Sequence, residues 1–210
     1  MGTETVQVGL GERSYPIVIG SGVLDTVGAA LAEARIGRRW AIITDDVVGP
    51  LYGGRLVDLL GAAGIDCELI TFAHGESSKH LVTIGTLASE LAERGFDRGD
   101  AVLALGGGVV GDMAGFLASI YLRGIPFVQV PTSLLAQVDS SVGGKTGVDL
   151  LQGKNLVGTF YQPRGVFIDT DVLRTLPEAE FRGGMGEVIK YGASIDADCF
   201  AFLERERPAI

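Results

Sequence analysis

The run AVLALGGGVVGDMAGFLASIYL, residues 101–122, constrains the fold of this chain more than any other stretch. It is long enough to cross a bilayer and carries a single charge, Asp112. A carboxylate near its middle is costly in hydrocarbon, and the glycines clustered before it suit a tight turn. The run reads instead as a buried strand, a glycine turn and a buried helix.

The rest of the chain follows the same alternation. TVQVGL and YPIVIG around the turn GERS predict an opening hairpin. Helical periods at 23–34, 48–63, 79–94 and 109–119 alternate with apolar runs at RRWAIITDD, 66–72, 101–105, PFVQVPTS and GVFIDT. This pattern predicts an α/β fold: a mostly parallel, Rossmann-like sheet with helices on both faces. Residues 1–176 would form that domain. Residues 177–210 are helical in period with no strand candidate, and read as the start of a truncated all-helical C-terminal domain.

Ligands of such sheets bind at the carboxyl ends of the strands. That rule selects Asp45, Asp46, the segment after Phe72, the glycines after Leu105, and Thr132 with Ser133. Gly106, Gly108 and Gly111 fit G-x-G-x-x-G, whose amides can surround a pyrophosphate at a helix start. The pattern lies on a late strand and lacks an acid about 20 residues on, unlike the usual dinucleotide fingerprint. A glycine turn packed for steric reasons is the competing reading, and Asp112 tips the balance toward a ligand.

Glu76 and Lys79 in HGESSKH are either a helix-start ion pair or nucleotide contacts. Thr132 and Ser133 either cap the next helix or bind a ligand. DSSVGGKTGVDLLQGKN reads as a loop that gathers Asp139, Lys145, Lys154 and Asn155 among four glycines. Lysine ammonium and asparagine amide groups are donors suited to phosphate oxygens. Glu187 and Lys190 in GEVIKYG share a helix face, either as an ion pair or with Glu187 as a metal ligand that would need further partners.

The net charge of −9 and the lack of a basic stripe exclude a nucleic-acid binder. An anionic ligand therefore needs a local basic pocket. Residues 112–164 supply one, with Arg123, Lys145, Lys154 and Arg164 against three carboxylates. Cys67 and Cys199 form no motif and read as reduced core thiols of a cytoplasmic protein. No signal peptide is legible at the N-terminus.

Taken together, GGGVVGDMAGFLASIYLRGIPFVQVPTSLLAQVDSSVGGKTGV, GKNLVGTFYQP and GEVIKYG, with TDD and HGESSK upstream, resemble the 3-dehydroquinate synthases, a family of sugar-phosphate cyclases. PTS stands where that family often has two threonines, and Asp149 and Leu150 where Asn and a small or ring residue are frequent. Asp149 falls on no position at which the resemblance implies catalysis. The resemblance implies a carbon–oxygen lyase that uses NAD and Zn2+ (or Co2+) to turn 3-deoxy-D-arabino-heptulosonate 7-phosphate into 3-dehydroquinate and phosphate.

The resemblance further implies that Asp45, Glu76, Lys79, Gly108, Val109, Val110, Gly111, Asp112, Thr132 and Ser133 contact NAD. Lys145, Lys154 and Asn155 would lie where phosphate meets nicotinamide. Asp139 and Lys190 would bind substrate hydroxyls, and Arg123 would reach a phosphate in the neighbouring subunit of a homodimer. Glu187 would be one of three metal ligands, the others lying beyond residue 210, so this chain alone is expected to be inactive. The rivals are a metal- and NAD-dependent dehydrogenase of the glycerol type, and a nucleotide-binding module without turnover.

Overall fold

In a computed structural model, which describes residues 2–206, seven strands form one sheet. Across it run β1 (Glu4–Val8), β2 (Tyr15–Gly20), β9 (Val166–Asp169), β6 (Phe127–Pro131), β5 (Ala101–Gly106), β3 (Arg39–Asp45) and β4 (Asp66–Phe72). β1 and β2 are antiparallel, as the opening hairpin predicts, and every other pairing in the sheet is parallel. Strand position explains composition. β5 and β6 are buried along their whole length and are almost wholly apolar, whereas the edge strand β1 is exposed except at Val8.

Alternate strand residues face opposite layers. Trp40, Ile42, Leu103 and Leu105 pack against Leu31 of α1 (Val27–Ala34) and Leu56 and Leu60 of α2 (Gly54–Ala62). Ala41, Ile43, Val102 and Ala104 pack against Ile84 and Leu87 of α3 (Leu81–Glu93) and Met113 and Leu117 of α4 (Gly108–Ile120). The mostly parallel sheet with helices on both faces is therefore present. Two of its helices are shorter than their periodicity predicts. A 3-10 turn, Val23–Thr26, precedes α1, and a π turn, Gly49–Gly53, precedes α2.

The segment read as a loop at 139–155 is the main correction. It holds a π turn, Ala136–Ser140, and an antiparallel hairpin of β7 (Lys145–Leu150) and β8 (Gly153–Phe160) outside the main sheet. The hairpin lies on α4, where a Cβ at Gly115 would stand 2.5 Å from Thr146 Cγ2, and Val148 is fully buried. Sheet on one side and hairpin on the other explain why α4 is apolar nearly all round. Among the described residues no helix is long and apolar enough to cross a membrane.

β3 and β4 end level, at Asp45 opposite Phe72, as do β5 and β6, at Gly106 opposite Pro131. Beyond the sheet, α5 (Glu178–Ser194) and α6 (Ala197–Glu206) are helical, in line with the period of that segment. Gly184 lets α5 approach the start of the π turn, where a Cβ would meet Leu134 Cβ at 2.7 Å. Both cysteines are free and only partly buried, not core residues, and burial raises the Cys67 thiol above its ordinary pKa.

Candidate active site

The turn from β5 into α4 sets the site. Gly106 is required because a Cβ there would lie 2.5 Å from Val110 Cγ2. Gly111 lets α4 lie close to β6, since a Cβ would lie 2.6 Å from Gln129 Oε1 and the glutamine would have to shift. Gly107 and Gly108 face two hydroxyls, with Cβ positions 3.3 Å from Ser133 Oγ and 3.0 Å from Ser140 Oγ. No side chain caps the start of α4, and Ser140 Oγ is buried without a partner among the described residues. Unsatisfied amides at a helix start favour an anion. A pyrophosphate group therefore fits this cradle through the backbone of Gly108, Val109 and Val110. The Val110 side chain is core.

Lys79 closes one side. Its side chain is 5% exposed, and its Nζ donates to Asp112 Oδ2 at 2.6 Å and to Asn155 Oδ1 at 2.6 Å. Burial raises the Asp112 carboxyl above its ordinary pKa, and the Lys79 ammonium offsets only part of that. Glu76 pairs with Lys154 at 3.0 Å, and this contact raises the exposed lysine above its usual value. Glu76 and Lys79 thus do not form the helix-start pair that their spacing allows. Lys79 precedes α3, whose N-cap is His80, and its backbone is not helical.

Asn155 is one of four non-glycine residues with positive φ among the described residues, at +56°. Its N–H donates to Asp149 Oδ1 at 2.7 Å, so Asp149, which falls on no position at which the resemblance implies catalysis, contacts a residue for which it does. Lys145 sits at the far end of β7, four residues or about 13 Å from Asp149 along the strand. The two lysines therefore approach from opposite ends of the hairpin. A cleft of about 700 Å³ is lined by Asp112, Asp139, Ser140, Lys145 and Asn155, and Lys154 is not part of its lining.

At the mouth of this cleft, Tyr191 of α5 donates its hydroxyl to Asp139 Oδ1 at 3.0 Å. Glu187 and Lys190 pair with each other, which raises the lysine above its usual pKa. Asp45 caps the turn after β3, accepting from Val47 N at 2.9 Å and Val48 N at 2.7 Å. Ser133 Oγ accepts from Ala136 N at 3.3 Å, so it caps the π turn while also facing Gly107. Thr132 is buried beside it and donates its N–H to Gly106 O.

Arg123 is not brought to the cleft. It follows α4, whose 13 residues place it about 20 Å from the cradle. A metal does not fit the described residues, which contain no group of three or more His, Cys, Asp or Glu side chains able to hold one. His74 is engaged with Asp46 at 2.8 Å, and His80 caps α3.

A mostly parallel sheet with helices on both faces and an uncapped, glycine-built helix start at its carboxyl edge defines a Rossmann-like α/β protein. A sequence profile described as 3-dehydroquinate synthase N-terminal matches residues 69–183, and the chain belongs to that family. It is 54% identical over 202 residues to a 3-dehydroquinate synthase of Geobacter metallireducens, covering 96% of this chain and 56% of that one. The chain thus spans little more than half the length of the curated relatives it matches.

Its structure resembles 2-epi-5-epi-valiolone synthase from Streptomyces hygroscopicus subsp. jinggangensis 5008, solved with NAD+ and Zn2+ bound. The TM-score is 0.85 at 33% identity, over 96% of this chain and 56% of that one. A 2-deoxy-scyllo-inosose synthase complexed with carbaglucose-6-phosphate, NAD+ and Co2+ gives a TM-score of 0.83 at 33% identity, over 89% and 50% of the two chains.

Proposed function

We propose that this chain is the nucleotide- and phosphate-binding part of a 3-dehydroquinate synthase, an NAD- and divalent-metal-dependent lyase. The reaction takes 3-deoxy-D-arabino-heptulosonate 7-phosphate to 3-dehydroquinate and phosphate. The observation that carries this reading is the uncapped start of α4 facing Ser140, with Lys79 tying Asp112 and Asn155 together at its side. That arrangement suits a dinucleotide on the helix start and a phosphorylated substrate under the hairpin.

When bound, NAD+ would supply a hydride acceptor for the carbon that bears a substrate hydroxyl, and its reduced form a hydride donor. The chain's own residues bind and orient. Amides of Gly108, Val109 and Val110 would hold the pyrophosphate, while the Gly111 N–H stays on Gly107 O and its missing side chain lets α4 lie against Gln129. Asp112, kept partly from water, would accept from a nucleotide hydroxyl, with Asp45, Glu76, Lys79, Thr132 and Ser133 along the same sheet edge. Lys145, Lys154 and Asn155 would present cationic and amide donors to the phosphate as it leaves. For Lys154 this requires exchanging Glu76 for the phosphate.

Asp139 and Lys190 would hold substrate hydroxyls at the cleft mouth. Arg123, at the opposite end of α4, would serve the neighbouring site of a homodimer. Glu187 would contribute one metal ligand, with its partners outside the described residues.

Calorimetric titration of NAD+ into this chain tests the reading. Saturable binding is expected in the wild type, and a loss of at least about tenfold in Asp112→Asn. Emission of the fully buried Trp40 verifies that both are folded. Absence of binding by the folded wild-type chain would overturn the placement.

A further inference from the structure

Asp149 occupies an irregularity in the hairpin. The register of β7 on β8 shifts between Val148 and Leu150, so the residue between them is released from the ladder. Its backbone pairs elsewhere. Asp149 N–H donates to Lys79 O at 2.8 Å, and a parallel bridge joins it to His80. Its side chain reaches back across the hairpin turn to accept from Asn155 N at 2.7 Å. Lys79 Nζ in turn donates to Asn155 Oδ1 at 2.6 Å. Three residues from three separate stretches therefore close a ring of hydrogen bonds, and Asp149 supplies two of its three links.

We infer that Asp149 is a positioning residue of the phosphate- and nicotinamide-facing site, holding Asn155 and Lys79 in their binding orientation without touching the ligand. The inference rests on the functional reading above and adds a residue to it. Asp149 is absent from the lining of the cleft, whereas Asn155 lines it. Asn155 has φ +56°, a backbone region that Asn tolerates better than most residues and that still needs support. A carboxylate accepting the Asn155 amide supports it directly. With the backbone held, the side-chain amide has its oxygen on Lys79, which leaves its NH2 free to donate to an anion.

The ring also joins two parts of the molecule that the sheet does not connect. Lys79 belongs to the segment between β4 and α3, while Asp149 and Asn155 belong to the hairpin over α4. Holding them at one spacing keeps the lysine that contacts Asp112 in register with the hairpin's donors.

The chemistry required at position 149 is one acceptor oxygen on a single methylene. Asn meets that requirement and Ala does not. Asn also removes a negative charge that lies close to Lys154 and Asp112, since Asp149 acts electrostatically on both. A purely structural role would not separate these two substitutions by ligand affinity.

The test compares wild type, Asp149→Ala and Asp149→Asn as 210-residue chains, with NAD+ and inorganic phosphate as calorimetric probes. Amide hydrogen exchange at Asn155 is followed without ligand. Asp149→Ala is expected to weaken NAD+ by about tenfold and to speed Asn155 exchange. Asp149→Asn is expected to bind NAD+ within about threefold of wild type and phosphate at least as tightly.

Wild-type affinity in folded Asp149→Ala would overturn the role of Asp149 and leave the nucleotide reading standing. Equal losses in both variants would overturn the role too, because the acceptor would then not matter. If the folded wild type binds no NAD+, the nucleotide reading fails. Exchange at Asn155 then decides the ring by itself, and unchanged exchange in Asp149→Ala overturns it.

Discussion

Lys79 and Asp112 form a pair that is largely removed from water, and its pH behaviour follows from which effect dominates. Burial disfavours the Asp112 carboxylate more than the Lys79 ammonium favours it, so its folded pKa lies above the unfolded one. The folded state then holds the proton more tightly. Stability from this group is fully present below the ordinary carboxylate range and is lost as pH rises through the raised value. Replacing Asp112 by Asn removes this titrating group, and with it the stability that the protonated carboxyl contributes at low pH. The expected outcome is that the melting-temperature deficit of Asp112→Asn narrows as pH rises from about 3 to 7. A deficit that widens would show that the lysine wins.

The same pair shows what a residue spacing conveys. Glu76 and Lys79 are three apart, as are Glu187 and Lys190. The second pair forms because α5 is helical there. The first does not, because Lys79 stands before α3 and its partners are 33 and 76 positions away. Such distant partners leave no local trace. The chemistry of Lys79 was legible as a ligand-edge cation, while its partners were not.

At the scale of elements, alternation of apolar runs with helical periods was sufficient for the main sheet, because its central strands are buried on both faces. The β7–β8 hairpin escaped that logic. Its inward residues are Thr146, Val148, Val157 and Thr159, an alternation that glycines and charges conceal. Gly147 and Gly158 lie opposite each other because the strands run too close for side chains. A Cβ at Gly158 would come 2.0 Å from Thr146 O, and one at Gly147 would come 2.5 Å from Val157 O.

Gly158→Ala must therefore push backbone against backbone, at a cost of about 1–3 kcal/mol. That lowers the melting temperature by roughly 2–10 °C in a chain of this size. Gly85→Ala is the contrast. It lies exposed in the middle of α3 with nothing within 4 Å of its Cβ. There the change should stabilise by about 0.5–1 kcal/mol. Thermal melts of the two variants should move in opposite directions. A neutral Gly158→Ala would show that the hairpin is not held as tightly as its geometry implies.

For the whole molecule, the nucleotide cradle and the metal requirement separate in space. The proposed nucleotide cradle draws only on described residues: one helix start, the carboxyl edge of the sheet and the hairpin. The proposed metal set does not: Glu187 stands on α5 in an ion pair with Lys190, and among the described residues no group of three or more His, Cys, Asp or Glu side chains could hold a metal. A catalytic zinc needs about three protein ligands, and a single carboxylate held by a lysine would have to give up that lysine first. Zn2+ titration into this chain should therefore show no binding tighter than the micromolar range, and Glu187→Gln should leave the isotherm unchanged. Polarisation by a metal is worth several kcal/mol of barrier, so its loss costs at least about a hundredfold in rate. With NAD+, Zn2+ and 3-deoxy-D-arabino-heptulosonate 7-phosphate supplied together, phosphate release by this chain should fall below that limit even while NAD+ binds. Release at the rate of a full-length relative would mean that the hydroxyl is activated by groups already on these 210 residues. Asp139, which accepts from Tyr191, and Lys190 at the cleft mouth would then be the first candidates.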